Sequence, residues 1–132
     1  MKYEHFVRIT PQNAVSTETT DNANIYWYYG KINCDSIEIV RLFNDRSAGK
    51  HSNACLIVDE EGRINGSPLN MIASFLAGQL IFGTVLIGEI GERDGEADVV
   101  GMSYEAVTAC RLAIHYSLMK SGLFEDCGND KD

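Results

Sequence analysis

The chain has 132 residues, a formal net charge of −8 at pH 7, 45% hydrophobic residues and 23% charged residues. This composition is typical of one globular domain that buries its own core, and the acidic balance argues against a protein whose main task is to grip a nucleic-acid backbone. We expect a single domain over residues 1–124, an acidic flexible tail over residues 125–132, and no direct nucleic-acid partner.

The N-terminal ten residues, "MKYEHFVRIT", lack the apolar core and the cleavage site of a signal peptide. No apolar run approaches the roughly 20 residues that span a bilayer. These two features predict a cytoplasmic protein with no membrane partner.

In the first half of the chain, the segment "KYEHFVRIT" before Pro11 predicts a first strand. "STETTDNAN" is typical of a polar turn or loop. The aromatic composition of "IYWYYG", which ends at Gly30, favours a strand, but its shortness and its apolar residues on both parities equally fit a short helix. "SIEIVRLF" is a second strand candidate, and "NDRSAGKHSN" is a polar loop around Gly49.

The middle of the chain begins with "ACLIV", a continuous apolar run that predicts a central strand buried on both faces. After a turn at "DEEG", a cap at Ser67, a proline at position 68 and Gly78 predict a helix at about Ser67 to Ala77. "LIFGTVLIG" predicts another strand, which Gly83 could interrupt, and "EIGERDGEAD" indicates a hairpin or loop tip.

The last element is the clearest helix. Ser103 is its expected cap and Gly122 its expected end, and an apolar stripe recurs between them at helical spacing: Val107, Cys110, Ile114 and Leu118. Together the elements predict an α+β fold. We expect a mixed or antiparallel sheet of about five strands with two or three helices, the long one C-terminal.

Three consecutive acids, Asp59, Glu60 and Glu61, follow the central strand and raise the question of a metal or acid–base site. Successive strand residues point to opposite faces, so the three carboxylates converge on one ion only if the turn curls sharply. We therefore interpret them as the polar end of a strand before the turn at Gly62. We expect no catalytic residue, no metal site, no cofactor and no enzymatic activity.

Cysteine spacing excludes two further kinds of site. The four cysteines form no C-x-x-C pair and have no zinc spacing with a histidine: Cys34, Cys55, Cys110 and Cys127. Free thiols in a reducing compartment are expected.

An anion site is the more interesting candidate. Arg111 lies one helical turn before His115, with Tyr104 in the same segment, so these side chains could bind an anion or could simply form the solvated flank of an amphipathic helix. Phe82 beside Gly83 could line a pocket or belong to the core.

Three segments together carry a family resemblance: "IYWYYGKINCDSIEIVRLF", "ACLIVDEEGRINGSPLN" and "LIFGTVLIG". Over about Tyr3 to Gly88 the chain resembles a domain-of-unknown-function family, numbered thirty-eight-forty-six, of phages, plasmids and conjugative elements. The resemblance implies a small accessory protein of a mobile element. By setting and size, it is similar to phage proteins that sequester nucleotide immune signals.

The function implied by this resemblance is non-enzymatic anti-defence. The protein would sequester a small anionic nucleotide-derived signal, such as a cyclic oligonucleotide or a cyclic ADP-ribose isomer. The alternative is an acidic protein that inhibits a host DNA-binding enzyme by direct interaction.

Sequestration requires cations and rings that meet the phosphates and the base, and a homo-oligomer, dimer or higher, would place them at a subunit interface. The expected ligand-binding residues are Arg111, His115, Tyr104, Phe82, Arg93, Arg63 and Asn70.

Overall fold

The computed structural model describes residues 2–42 and 53–122. In chain order the elements are β1 (Glu4–Ile9), β2 (Val15–Thr20), α1 (Ile25–Ile32), β3 (Ile37–Arg41), β4 (Ala54–Asp59), α2 (Met71–Ala77), β5 (Val85–Arg93), β6 (Glu96–Val100) and α3 (Tyr104–Ser121). The predicted α+β class with a long C-terminal helix is therefore confirmed. The predicted loop around Gly49 and the predicted tail 125–132 lie outside the described residues.

The six strands form one antiparallel sheet in the order β2-β1-β5-β4-β3, with β6 pairing to β5. The first part of β5 pairs with both β1 and β4, and its second part forms a hairpin with β6. The sheet is thus built around β4 and β5, which explains why β4 is buried from Ala54 to Val58. The expectation of a central strand at "ACLIV" is confirmed.

Each face of the sheet has its own core, because successive strand residues alternate between faces. One face carries α2 and α3, and Val7, Leu56 and Ile87 pack there against Ile114 and Leu118. The other face carries α1. There the core consists of Phe6, Ala23, Tyr28, Ile32, Cys55, Ile57, Leu86 and Val99.

The two predicted helices differ in how well the sequence located them. The Ser103 side chain accepts a hydrogen bond from Ala106 N and Gly122 ends α3 with φ 81°, so both predicted ends are confirmed. For α2 the predicted start was wrong. Asn70 is the N-cap and Met71 the first helical residue, because Leu69 is held in an isolated β-bridge with Phe82.

The structure settles the secondary structure of two segments in the first half of the chain. "IYWYYG" is helical, capped by Asn24, whose side-chain oxygen accepts a hydrogen bond from Trp27 N at 2.9 Å. The loop predicted at "STETTDNAN" was wrong for its first part, because Val15–Thr20 forms the edge strand β2. An edge strand buries little on either face, so its sequence need not alternate between apolar and polar residues.

The β5–β6 hairpin is longer than its sequence indicated. The strand predicted at "LIFGTVLIG" begins only at Val85, after Gly83 with φ 93°, and continues to Arg93. The hairpin tip is the pair Asp94 and Gly95, both with positive φ, as two-residue hairpin loops require. None of the helices in the described ranges is long and apolar enough to cross a membrane.

Candidate functional site

A groove of about 480 Å³ runs between α3 and the turn that joins β1 to β2. Its α3 wall consists of side chains three or four residues apart, which lie on one flank of a helix. These wall residues are Thr108, Arg111, Leu112 and His115. Asn13 and Val15 face them from the hairpin, and Ile72, Ile114 and Leu118 complete the apolar part of the lining.

The core stripe of α3 fixes where this flank points. Ile114 and Leu118 are buried against the sheet, so Arg111 and His115 emerge at the side of the helix that borders β2. The structure thus brings together two of the predicted ligand-binding residues, Arg111 and His115, in one depression.

The guanidinium of Arg111 has neutral partners only. Its Nη1 donates to Thr17 Oγ1 at 3.1 Å and its Nη2 donates to the Val15 carbonyl oxygen at 3.3 Å. Within residues 2–42 and 53–122, Arg111 forms no ion pair, and no carboxylate lines the groove. Among the described residues, no carboxylate compensates the positive charge of Arg111 in the groove, although the chain has a net charge of −8.

Arg93 is engaged elsewhere. Its guanidinium meets both oxygens of Glu4 at 3.1 Å and also donates to the Asp98 carboxylate at 3.2 Å. A further hydrogen bond to the Val99 carbonyl, at 3.1 Å, ties the same group to β6. Arg93 thus joins β1 to the β5–β6 hairpin, and its predicted role in a shared ligand cleft does not fit this geometry.

The charges of this cluster depend on one another. Burial raises the pKa of Glu4, but hydrogen bonds from Arg93 and from Gly101 N outweigh it and hold that pKa below its usual value. The hydrogen bonds from Arg93 to Glu4 in turn raise the pKa of the guanidinium. Tyr28 donates to the Val99 carbonyl at 3.2 Å, and burial raises its pKa to about 12.

Arg63 and Phe82 form a separate, smaller site of about 140 Å³ at the end of β4. The Arg63 guanidinium carbon lies 5.7 Å from the centroid of the Phe82 ring, at a distance typical of cation–π contact. Glu38, Asp59 and Glu60 also line this depression, which shares no lining residue with the groove. The structure does not bring Arg63, Arg93 and Arg111 into one cleft of a single chain.

Asn70 and Tyr104 also lie apart from the groove lining. Asn70 is fully buried: its Nδ2 donates to the carbonyls of Ile9 and Gly83, and its Oδ1 accepts from Ala73 N. Its amide group holds the fold together and presents no surface to a ligand. Tyr104 is exposed, with its ring edge-on to His5 at 5.8 Å.

The acidic segment Asp59, Glu60 and Glu61 forms a turn at the end of β4. Asp59 Oδ1 accepts a hydrogen bond from Glu61 N at 2.9 Å, which is an Asx turn, while Glu60 and Glu61 are exposed. The described part of the chain has no group of three side chains placed to hold a metal ion. Cys34, Cys55 and Cys110 are free thiols.

The residues that sequence reasoning missed come from the β1–β2 hairpin. Asn13 and Val15 line the groove, and Thr17 holds the Arg111 guanidinium. Thr17 was missed because "STETTDNAN" predicts a loop, and the turn with Asn13 and Val15 lies between that segment and the first predicted strand. The alternating threonines of "VSTETT" are the signal that could have indicated an edge strand beside a helix.

Comparison with known proteins places the fold and leaves the chemistry open. No curated protein matches the chain. Its fold is similar to part of a crystal structure of the small RNA methyltransferase HEN1, with a TM-score of 0.61 and 17% sequence identity over 94% of this chain. The chain spans 17% of the length of that protein, so the likeness shows the fold alone.

The family comparison agrees with the resemblance found in the sequence and extends it into α3. The matched region includes five of the nine residues that line the groove, as far as Arg111, and ends before His115. The model of the family described as Domain of unknown function (DUF3846) matches residues 1–111, and the chain belongs to this family.

Proposed function

We propose that the protein binds a small anionic, nucleotide-derived ligand in the groove between α3 and the β1–β2 hairpin, without turning it over. The observation that carries the proposal is the charge of the groove: Arg111 and His115 line it, and no described carboxylate does. The chain has 19 acidic and 11 basic residues, so a positively charged depression stands out from its overall negative charge.

The physical chemistry of the groove suits a phosphate-bearing ligand. A guanidinium matches phosphate oxygens in two parallel hydrogen bonds, and the neutral partners of Arg111 can give way to a charged acceptor. A volume of about 480 Å³ is in the range of small-molecule sites. Leu112, which is 66% exposed, offers apolar surface to the sugar or base.

The side chains that line the groove support the proposal of binding without turnover. Hydrolysis that used His115 as a base would gain from a carboxylate that orients the imidazole, and the described lining supplies none. The ligand class within this proposal, a cyclic oligonucleotide or a cyclic ADP-ribose isomer, rests on the resemblance to mobile-element proteins. In that setting, capture would lower the free concentration of a host defence signal.

Isothermal titration against cyclic dinucleotides, cyclic ADP-ribose isomers and inorganic pyrophosphate tests the proposal. We expect at least one nucleotide to bind, and Arg111→Ala to weaken it by about 10–100-fold, because a hydrogen bond to a charged group contributes about 1.5–3 kcal/mol. Arg63→Ala is the matched control, since Arg63 lies in the other depression. Its affinity should stay within about twofold of the wild type.

Two results would contradict the proposal. One is the absence of heat with every compound in the panel, and the other is a loss of affinity in Arg63→Ala that equals the loss in Arg111→Ala. Mass spectrometry of the ligand after incubation checks the non-enzymatic part, for which the compound must be recovered intact.

A second proposal, an acidic inhibitor of a DNA-binding enzyme, is favoured by the β5–β6 hairpin. Glu92, Asp94 and Glu96 are all exposed within five residues of the hairpin tip. Such a partner should be captured from host lysate and released by high salt, because exposed charge contacts are screened.

A further inference from the structure

The outer edge of β2 lacks a neighbouring strand among the described residues. Thr10 N donates to the Ala14 carbonyl, so Thr10 and Ala14 form a hydrogen-bonded pair of the β1–β2 ladder. Because hydrogen-bonded and non-hydrogen-bonded pairs alternate, the backbone N–H and C=O groups of Ser16 and Glu18 point to β1. Those of Thr17 and Thr19 point outward. The contact from Arg111 to the outward Val15 carbonyl agrees with this alternation. Apart from the Val15 carbonyl, which Arg111 contacts, the outward amide and carbonyl groups of β2 form a template for another strand.

This edge has one feature that usually prevents strand pairing, the charged residue Glu18, and its carboxylate is paired with Lys31. The sequence of β2, "VSTETT", contains no proline, lysine or glycine, and four of its six residues are β-branched. Among the other strands with a single neighbour, β3 differs because it exposes Glu38 and Arg41.

An exposed apolar stripe of α3 accompanies the free edge. Leu112, Tyr116 and Met119 recur at helical spacing and are 66%, 64% and 52% exposed. Arg111, the neighbour of Leu112, reaches across to Val15 and Thr17, so this side of α3 borders the edge of β2. Strand pairing at the edge would therefore also bring an apolar helix surface toward its partner.

We infer that the partner is a second copy of this chain, with its β2 strand pairing antiparallel to the first about a two-fold axis at Thr17. The two six-stranded sheets then form one continuous sheet, and the two α3 helices flank the axis on the same face.

Charge and register favour this partner. An axis at Thr17 sets Thr17 opposite Thr17 and Val15 opposite Thr19, so all the outward backbone groups find partners. On the other face, Ser16 lies opposite Glu18, which keeps the two carboxylates from facing each other. Glu18 is already neutralised by Lys31 at 2.9 Å. Pairing of β2 with β3 would instead be head-to-tail and open-ended.

The dimer has a consequence for the groove. Because Arg111 contacts Val15 and Thr17, the guanidinium groups of both copies approach the axis and the two grooves adjoin. Two like charges at an axis favour an anion between them. This consequence rests on the proposed function, whereas the interface itself does not.

Analytical ultracentrifugation of the full chain tests the interface without any ligand. We expect the wild type to sediment at twice the 14.6 kDa chain mass. Thr17→Pro should weaken the dimer by about tenfold or more while keeping the native circular dichroism spectrum, because it removes an outward N–H and leaves the ladder to β1 intact. Thr17→Lys should also weaken the dimer, because it places two ammonium groups at the axis. Asn65→Lys is the charge-matched control. Asn65 lies in an exposed turn, so this variant should remain dimeric.

Cross-linking gives a second readout that does not depend on the proline variant folding. Directly opposed residues in a hydrogen-bonded antiparallel pair have Cα atoms about 5.5 Å apart, within disulfide range. Under mild oxidation, Thr17→Cys should form a covalent dimer, whereas the wild type and Glu38→Cys should not. A wild-type monomer at high concentration, or dimers of unchanged strength in both Thr17→Pro and Thr17→Lys, would overturn the inference, even if the groove binds its ligand.

Discussion

Asn70 is the buried polar residue of the described chain, and its side chain connects three separate segments of the fold. Its amide joins β1, the N-terminus of α2 and the segment before β5 through three hydrogen bonds between 2.8 and 3.0 Å. Removing the amide leaves the buried Ile9 carbonyl, the part-buried Gly83 carbonyl and one helix N–H without this partner. We expect Asn70→Ala to lower the free energy of unfolding by about 2–4 kcal/mol, measured by urea denaturation.

The control for Asn70 is the other asparagine cap. Asn24 caps α1 through a single hydrogen bond to Trp27 N and is exposed. Asn24→Ala should therefore cost only about 1 kcal/mol. Equal losses in the two variants would mean that the carbonyl contacts of Asn70 contribute nothing beyond capping.

Sequence reasoning predicts Asn70 as a ligand-binding residue, whereas the structure buries it as the N-cap of α2. Its neighbours Ser67 and Pro68 have the composition of a helix start, so the cap was placed three residues early. What moved the start was the bridge between Leu69 and Phe82, residues 13 positions apart. Local propensity cannot indicate a contact of that kind, whereas the caps of α3 depend only on neighbouring residues and were found correctly.

At the scale of elements, the ion cluster of Glu4 and Arg93 joins β1 to the β5–β6 hairpin. The pKa of Glu4 lies below its usual value of 4.5 in the folded chain. A carboxyl group with a lowered folded-state pKa stabilises the fold above its unfolded pKa and loses that contribution as the pH falls through the folded pKa. The contribution is therefore present at neutral pH and is lost in acid below the usual value of 4.5.

We expect Glu4→Gln to destabilise the protein at about pH 7 and to flatten the loss of stability between about pH 5 and pH 3. Chemical denaturation across this range provides the measurement. Glu96→Gln, at an exposed position of β6, is the matched control and should follow the wild-type curve. Burial raises the pKa of Glu89, which gives the opposite pH dependence, so only the difference between variant and wild type isolates Glu4. A Glu4→Gln curve parallel to the wild type would contradict the assignment.

The elements also show which sequence signals are sufficient to predict a strand or a helix. β4 and α3 were predicted because the first is continuously apolar and the second repeats at helical spacing, and both patterns arise from burial in one core. The edge strand β2 was not predicted because it buries little surface, so its sequence shows no apolar face. In the groove, helical spacing predicts the α3 wall, whereas the only sequence signal for the hairpin wall is the alternation of threonines in β2.

For the molecule as a whole, the two layers on opposite faces of one sheet raise the question of whether they unfold together. Each layer contains a cysteine as a reporter. Cys55 is fully buried under α1, and Cys110 is partly buried against the α2–α3 core. Burial raises the pKa of both thiols to about 11, so few are ionised at about pH 8.

We expect iodoacetamide to label both thiols at least about 100-fold more slowly in the native protein than in urea, since the thiolate is the reactive form and burial also blocks access. Peptide mapping by mass spectrometry follows each cysteine separately. Because β4 and β5 contribute side chains to both cores, opening one layer disrupts the strands that support the other. The labelling of Cys55 and Cys110 should thus rise at the same urea concentration, as in a two-state transition. Labelling of Cys110 well before Cys55 would show that α3 detaches while the α1 layer stays folded.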